Sequence, residues 1–157
     1  MSLAAQVLDA ARRQGVTIAS AESCTGGLVA GALTEVAGSS DVFDRGFVTY
    51  SNAAKQQMLG VRAETLDEYG AVSEATASEM ATGALAHSGA GLAVSITGIA
   101  GPGGSEHKPE GRVCFGIADP SGAKTETVEF GAIGRDHVRA ASVEHALNLL
   151  LAALNGR

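Results

Sequence analysis

The order of patterns along the chain constrains its fold most. Helical and strand-like apolar spacings alternate through the first hundred residues, and two strand-like runs then meet across Pro120-Ser121-Gly122. Leu3, Val7 and Ala11 stand at helical spacing, Arg12 and Arg13 fall in the last turn, and Gly15 supplies the stop. Residues 16–20 read as a strand, 25–36 as a helix opened by Thr25-Gly26-Gly27, and 46–50 as a second strand. Ser51 is placed to cap a short helix over 52–59, and Ser73 a longer one reaching about His87. Residues 91–97 predict a buried strand, 112–118 and 125–130 a hairpin, and 134–154 a final helix burying Val143, Leu147, Leu150 and Leu154. Alternation followed by a hairpin predicts a three-layer α/β/α sandwich around a mixed, mostly parallel sheet, in one domain over residues 1–157.

Composition narrows the function classes. Eleven basic against seventeen acidic residues give a net charge of −6, the wrong sign for a nucleic-acid footprint, and 4% aromatic residues offer few stacking platforms. No apolar run reaches the roughly 18 residues of a membrane span, and Met1-Ser2-Leu3-Ala4-Ala5-Gln6 lacks the charged start and apolar stretch of a signal peptide. Two cysteines, Cys24 and Cys114, are too few for a disulfide framework, and the four histidines show no metal-ligand spacing. The expectation is a cytoplasmic enzyme or ligand-binding domain without metal or cofactor, with a small-molecule partner and with homo-oligomerisation left open.

Three strand ends carry unusual chemistry. Ser23 and Cys24 sit where the first strand turns into a helix, followed by Thr25, Gly26 and Gly27. Unpaired N–H groups at a helix start can hold an anion or a developing oxyanion, and the same field lowers a thiol pKa. Ser23 and Cys24 are therefore not ranked by spacing, and capping by Ser23 or Thr25 is the plain alternative. After the second strand come Tyr50 and Lys55; a lysine serves as a base only when burial or neighbouring charge depresses its pKa. Tyr-x-x-x-Lys does not fit, because Ala54 stands four residues after Tyr50. The third strand ends in Thr97-Gly98-Ile99-Ala100-Gly101-Pro102-Gly103-Gly104-Ser105. Gly104 occupies the lysine position of a P-loop and Glu106 the third glycine of a dinucleotide loop, so neither phosphate motif holds. Arg135 and Arg139, one turn apart near the start of the last helix, predict a shared phosphate clamp.

Five ordered motifs together resemble the CinA C-terminal domain, the nicotinamide-mononucleotide deamidase family. They are residues 21–27, residues 46–52 with Lys55, Gly70-Ala71-Val72-Ser73-Glu74, Ser95-Ile96-Thr97-Gly98-Ile99-Ala100-Gly101-Pro102, and Lys108-Pro109. The resemblance implies hydrolysis of the nicotinamide carboxamide, releasing ammonia, with Ser23 as nucleophile and Lys55 as base. It also implies that Tyr50 and Thr97 hydrogen-bond these groups or the substrate, Tyr50 serving as a relay, and that backbone N–H groups of Thr25–Gly27 meet the oxyanion. Gly98, Gly101, Arg135 and Arg139 then contact the nucleotide. Two departures touch binding: the loop after Pro102 is one residue short, and Ile133-Gly134-Arg135 replaces Gly-Asp-Arg. The competing expectations are a non-catalytic pyridine-nucleotide sensor and an interaction domain that keeps only the fold.

Overall fold

A computed structural model describes residues 1–157. Helix α1 (Leu3–Gln14) leads into β1 (Ile18–Glu22), and α2 (Leu28–Thr34) with a 3-10 turn at Ser39–Asp41 leads into β2 (Phe43–Val48). Helices α3 (Asn52–Leu59), α4 (Ala63–Tyr69) and α5 (Glu74–Ala86) precede β3 (Leu92–Gly98). The hairpin of β4 (Arg112–Asp119) and β5 (Gly122–Glu129) is followed by α6 (Arg135–Asn155). The strands lie in the order β2-β1-β3-β4-β5. β1 pairs in parallel with β2 and β3, whereas β3–β4 and β4–β5 are antiparallel. The expected mixed, mostly parallel sheet is present: β1, β2, β3 and β5 point one way and β4 alone runs against them. The reason is that β4 returns beside β3 through the Gly/Pro loop without a crossover helix.

The two faces of the sheet receive side chains of different size. Ile18, Leu92, Val94, Ile96, Val113 and Phe115 face α1, α2 and α6, packing against Val7, Leu8, Leu33, Val138 and Leu150. The opposite face presents Ala19, Ala21, Ala93, Ser95 and Gly116 to the layer of α3, α4 and α5. Small residues let α5 lie close: Ser95 Oγ donates to the Ala77 carbonyl at 2.6 Å, and a Cβ on Gly116 would stand 2.6 Å from that same oxygen. Ala19, Ala21, Ala84, Ala93 and Gly116 serve this close approach.

Several boundaries move for identifiable reasons. β1 and β2 are shifted by two or three residues from the predicted runs, to 18–22 and 43–48. α2 starts at Leu28 because residues 23–27 form a turn instead of a first helical turn. β5 begins at Gly122, paired with Asp119 across a two-residue turn. α4 has no counterpart in the predicted elements, since its seven residues bury only Thr65 and Leu66 and show too little periodicity to read.

α3 rests on α5 at Gly83, where any Cβ would overlap the Leu59 carbonyl. Gly83→Ala is expected to cost about 1–3 kcal/mol through overpacking, read as a lowered urea midpoint at unchanged slope.

Candidate active site

Because β1, β2 and β3 run parallel with Glu22 beside Val48 and Ile96, three segments leave the sheet at one edge. The Ser23 N–H donates to the Ile96 carbonyl at 2.9 Å and the Thr49 N–H to the Glu22 carbonyl at 2.8 Å, locking these exits together. The chain turns to one side of β1 to form β2 and crosses to the other side to form β3. Such a reversal opens a crevice beyond the carboxyl ends of the strands. A cavity of about 300 Å³ occupies it, and Ser23, Tyr50, Lys55, Thr97, Glu106 and Arg135 are on its wall. A larger cavity of about 590 Å³ lies at the opposite edge, beside the hairpin turn and the end of α6. None of its charged residues is buried, so the smaller cavity is the chemically equipped one.

Ser51 caps α3 by accepting from the Ala54 N–H at 3.0 Å, which sends Lys55 inward from the first turn. Lys55 is 1% exposed and Ser23 7%. Its Nζ donates to Ser23 Oγ at 3.0 Å, to the Thr49 carbonyl at 3.0 Å and to the Tyr50 carbonyl at 3.4 Å. Burial pushes the lysine pKa below its ordinary 10.5, with the Cys24 and Glu106 side chains opposing that shift. A neutral amine keeps two N–H donors, one for each carbonyl, and directs its lone pair at the Ser23 hydroxyl.

The Cys24 thiol is buried and holds its proton more tightly than usual. Burial pushes its pKa up to about 11, with Glu22 acting in the same direction, so the expected lowering by a helix start does not operate. The start of α2 is occupied instead by Glu22, which sequence reasoning gave no role. Its carboxylate accepts from Thr25 Oγ1 at 2.6 Å and from the N–H groups of Gly27, Val29 and Ala30 at 3.2, 2.9 and 3.0 Å. A carboxylate at the beginning of a helix is the signal that could have revealed it. The Gly26 N–H donates to the Ser23 carbonyl at 3.0 Å. Gly26 and Gly27 are therefore committed, and Thr25, Gly26 and Gly27 lie off the cavity wall, contrary to expectation. The N–H groups of Cys24 and Thr25 donate to no other residue.

The two arginines separate. Arg135 Nη1 donates to the Gly101 carbonyl at 2.7 Å and Nη2 to the Tyr50 hydroxyl at 2.9 Å, at the cavity mouth. Arg139 turns away and braces the serine turn, its Nε donating to the Cys24 carbonyl at 3.1 Å. The shared clamp is thus replaced by one cavity arginine and one buttress. Tyr50 is 61% exposed, and its phenol meets Arg135 instead of standing between Ser23 and Lys55, whose direct contact needs no relay. Thr97 Oγ1 donates to the Ala71 carbonyl at 2.7 Å, which ties the end of β3 to the loop before α5. Gly98 and Gly101 are on the wall, with Gly98 close against Val113. Asn52 and Glu106 join them without having been singled out as site residues.

The model of the CinA C-terminal domain matches residues 1–154. This chain belongs to that family. Nicotinamide-nucleotide amidohydrolase PncC of Escherichia coli K12 is 53% identical over 151 residues, covering 96% of this chain and 92% of that protein. A CinA-like protein of Chlorobium phaeobacteroides is 60% identical over 122 residues, which span 75% of this chain and 29% of that longer relative. The crystal structure of a competence/damage-inducible protein from Agrobacterium tumefaciens superposes with a TM-score of 0.93 at 52% identity, covering 98% of this chain and 93% of that one. A CinA-superfamily protein from Klebsiella pneumoniae gives 0.95 at 39% identity, with coverages of 99% and 97%.

Removing the Glu22 carboxylate would strand a buried hydroxyl and three backbone donors. Glu22→Ala is expected to destabilise the protein by about 3 kcal/mol, measured by urea unfolding; a loss under about 0.5 kcal/mol would contradict its capping role.

Proposed function

We propose that this protein hydrolyses the carboxamide of a nicotinamide nucleotide, releasing ammonia and leaving the nicotinate nucleotide. The observation that carries the reading is the buried contact of Lys55 Nζ with Ser23 Oγ at 3.0 Å on a cavity wall. It is supported by the likeness to relatives named for that activity.

Lys55 in its neutral form takes the Ser23 proton, and Ser23 Oγ attacks the carboxamide carbon. The N–H of Cys24, beside Ser23 on the cavity wall, meets the oxyanion in place of those of Gly26 and Gly27. The lysine ammonium returns its proton to the departing nitrogen, the C–N bond breaks, and ammonia leaves an acyl ester on Ser23. Water, deprotonated by the same amine, attacks the ester carbon; the C–Oγ bond breaks and Ser23 recovers its proton. Arg135 at the mouth supplies the positive charge for the nucleotide phosphate.

Ser23→Ala is expected to lower ammonia release from nicotinamide mononucleotide at least about 10³-fold while substrate still binds. Lys55→Arg should be equally inactive, because guanidinium holds its proton, whereas Cys24→Ala should stay within about tenfold of the unaltered chain. Loss of turnover in Cys24→Ala with retention in Ser23→Ala would reverse the assignment.

The pH dependence has a defined sign. The base form of Lys55 exists above its pKa, which burial lowers, so kcat/KM should rise with pH and level off at a midpoint below 10.5. A profile that is flat, or that still climbs past 10.5, would remove the lysine from the proton transfer.

A further inference from the structure

Two of the motifs, residues 70–74 and Lys108-Pro109, contribute nothing to the nucleophile or its base, yet both converge on Glu106. Ser105 and Lys108 bridge each other through paired backbone hydrogen bonds of 3.0 and 2.8 Å, with Glu106 and His107 at the tip of the turn. These two are the only non-glycine residues with positive φ, at 52° and 64°, where side chains other than Asn, Asp or none at all are disfavoured. A glycine would suit the turn better, so the glutamate is held there against backbone preference.

Its surroundings direct the side chain onto the cavity wall. Gly70, at φ 82°, leaves open the space that the Glu106 carboxylate fills, since any Cβ there would overlap Oε2. Lys108 Nζ fastens the loop by donating to the Tyr69 and Val72 carbonyls, each at 2.6 Å. That ammonium stands 3.9 Å from the Glu106 carboxylate, the far limit of an ion pair, and the carboxylate accepts no side-chain hydrogen bond. The cavity therefore presents an under-paired negative charge from Glu106 and a guanidinium from Arg135.

This pattern complements a ligand carrying both signs. A nicotinamide bonded to ribose through its ring nitrogen is a pyridinium cation, and the phosphate at the other end is an anion. We infer that Glu106 is a specificity-determining residue that recognises the positive charge of an N-ribosylated nicotinamide ring, with Arg135 meeting the phosphate. The inference rests on the proposed amidohydrolase reading and adds what that reading leaves open: selection of the oxidised, cationic nucleotide over a neutral-ring analogue.

Reduced nicotinamide mononucleotide tests this, having the same carboxamide, ribose and phosphate but an uncharged ring. Calorimetry in the Ser23→Ala chain, which holds substrate unreacted, should show the oxidised form binding about tenfold tighter than the reduced form, as expected for one partly exposed charge pair. Glu106→Gln should erase that preference by weakening the oxidised form alone. Glu106→Gly, which suits the turn's positive φ, should erase it equally, whereas a residue needed only for loop shape would be replaced by glycine without loss. No preference in the parent, or a preference that survives both substitutions, overturns the inference. Ammonia release by the unaltered chain is scored separately. Release without charge preference sinks Glu106 alone, a Glu106-dependent preference without release sinks the amidohydrolase reading alone, and binding of neither nucleotide sinks both.

Discussion

An amine excluded from water with only neutral oxygens in contact is the constraint on which the site depends. Lys55 is nearly inaccessible, and its three partners are a hydroxyl and two carbonyls. No side-chain carboxylate hydrogen-bonds it, so burial of the ammonium is only partly offset and the lysine pKa falls below its ordinary value. Glu22, the carboxylate buried at the adjoining strand end, is kept apart by its own work: it satisfies the start of α2. Had it turned toward Lys55, a buried ion pair would have raised the proton affinity of the amine.

The sheet supplies the alignment. Parallel pairing of β1 with both neighbours places the ends of three strands level, so that Ser23, Thr49 and Thr97 emerge side by side. Backbone hydrogen bonds across these exits fix the Ser23 turn to its neighbours, and Arg139 holds the same turn from α6. The alanine-rich face then lets the α3–α5 layer approach closely enough for a lysine side chain to span from helix to serine. Large side chains on that face would have lifted the layer away.

Much of this was legible in the chain because it is local. Ser51 and Ser73 cap the helices they precede, the Pro120 turn joins two strands, and the long last helix has the expected extent. The proximity of Ser23 and Lys55 followed only from resemblance, since thirty-two residues separate them and spacing cannot fix a contact across two elements. What escaped reading was the assignment of hydrogen-bond donors. Gly26 and Gly27 look available as a helix start, but Glu22 and the Ser23 carbonyl claim them. Likewise the i, i+4 spacing of Arg135 and Arg139 suggests a single purpose, yet Arg135 reaches Gly101 and Tyr50 while Arg139 reaches the serine turn. Long flexible side chains choose partners by tertiary surroundings, which periodicity does not encode.

The glycine at position 83 makes α5 a mechanical stop for α3. Lys55 and Leu59 share one buried face of α3, and the Leu59 carbonyl abuts that glycine. How far the amine sinks below the surface is thus set from the rear of the molecule, by a backbone contact that no substrate meets. Padding that stop would displace α3 and carry Lys55 and Asn52, both on the cavity wall, along with it.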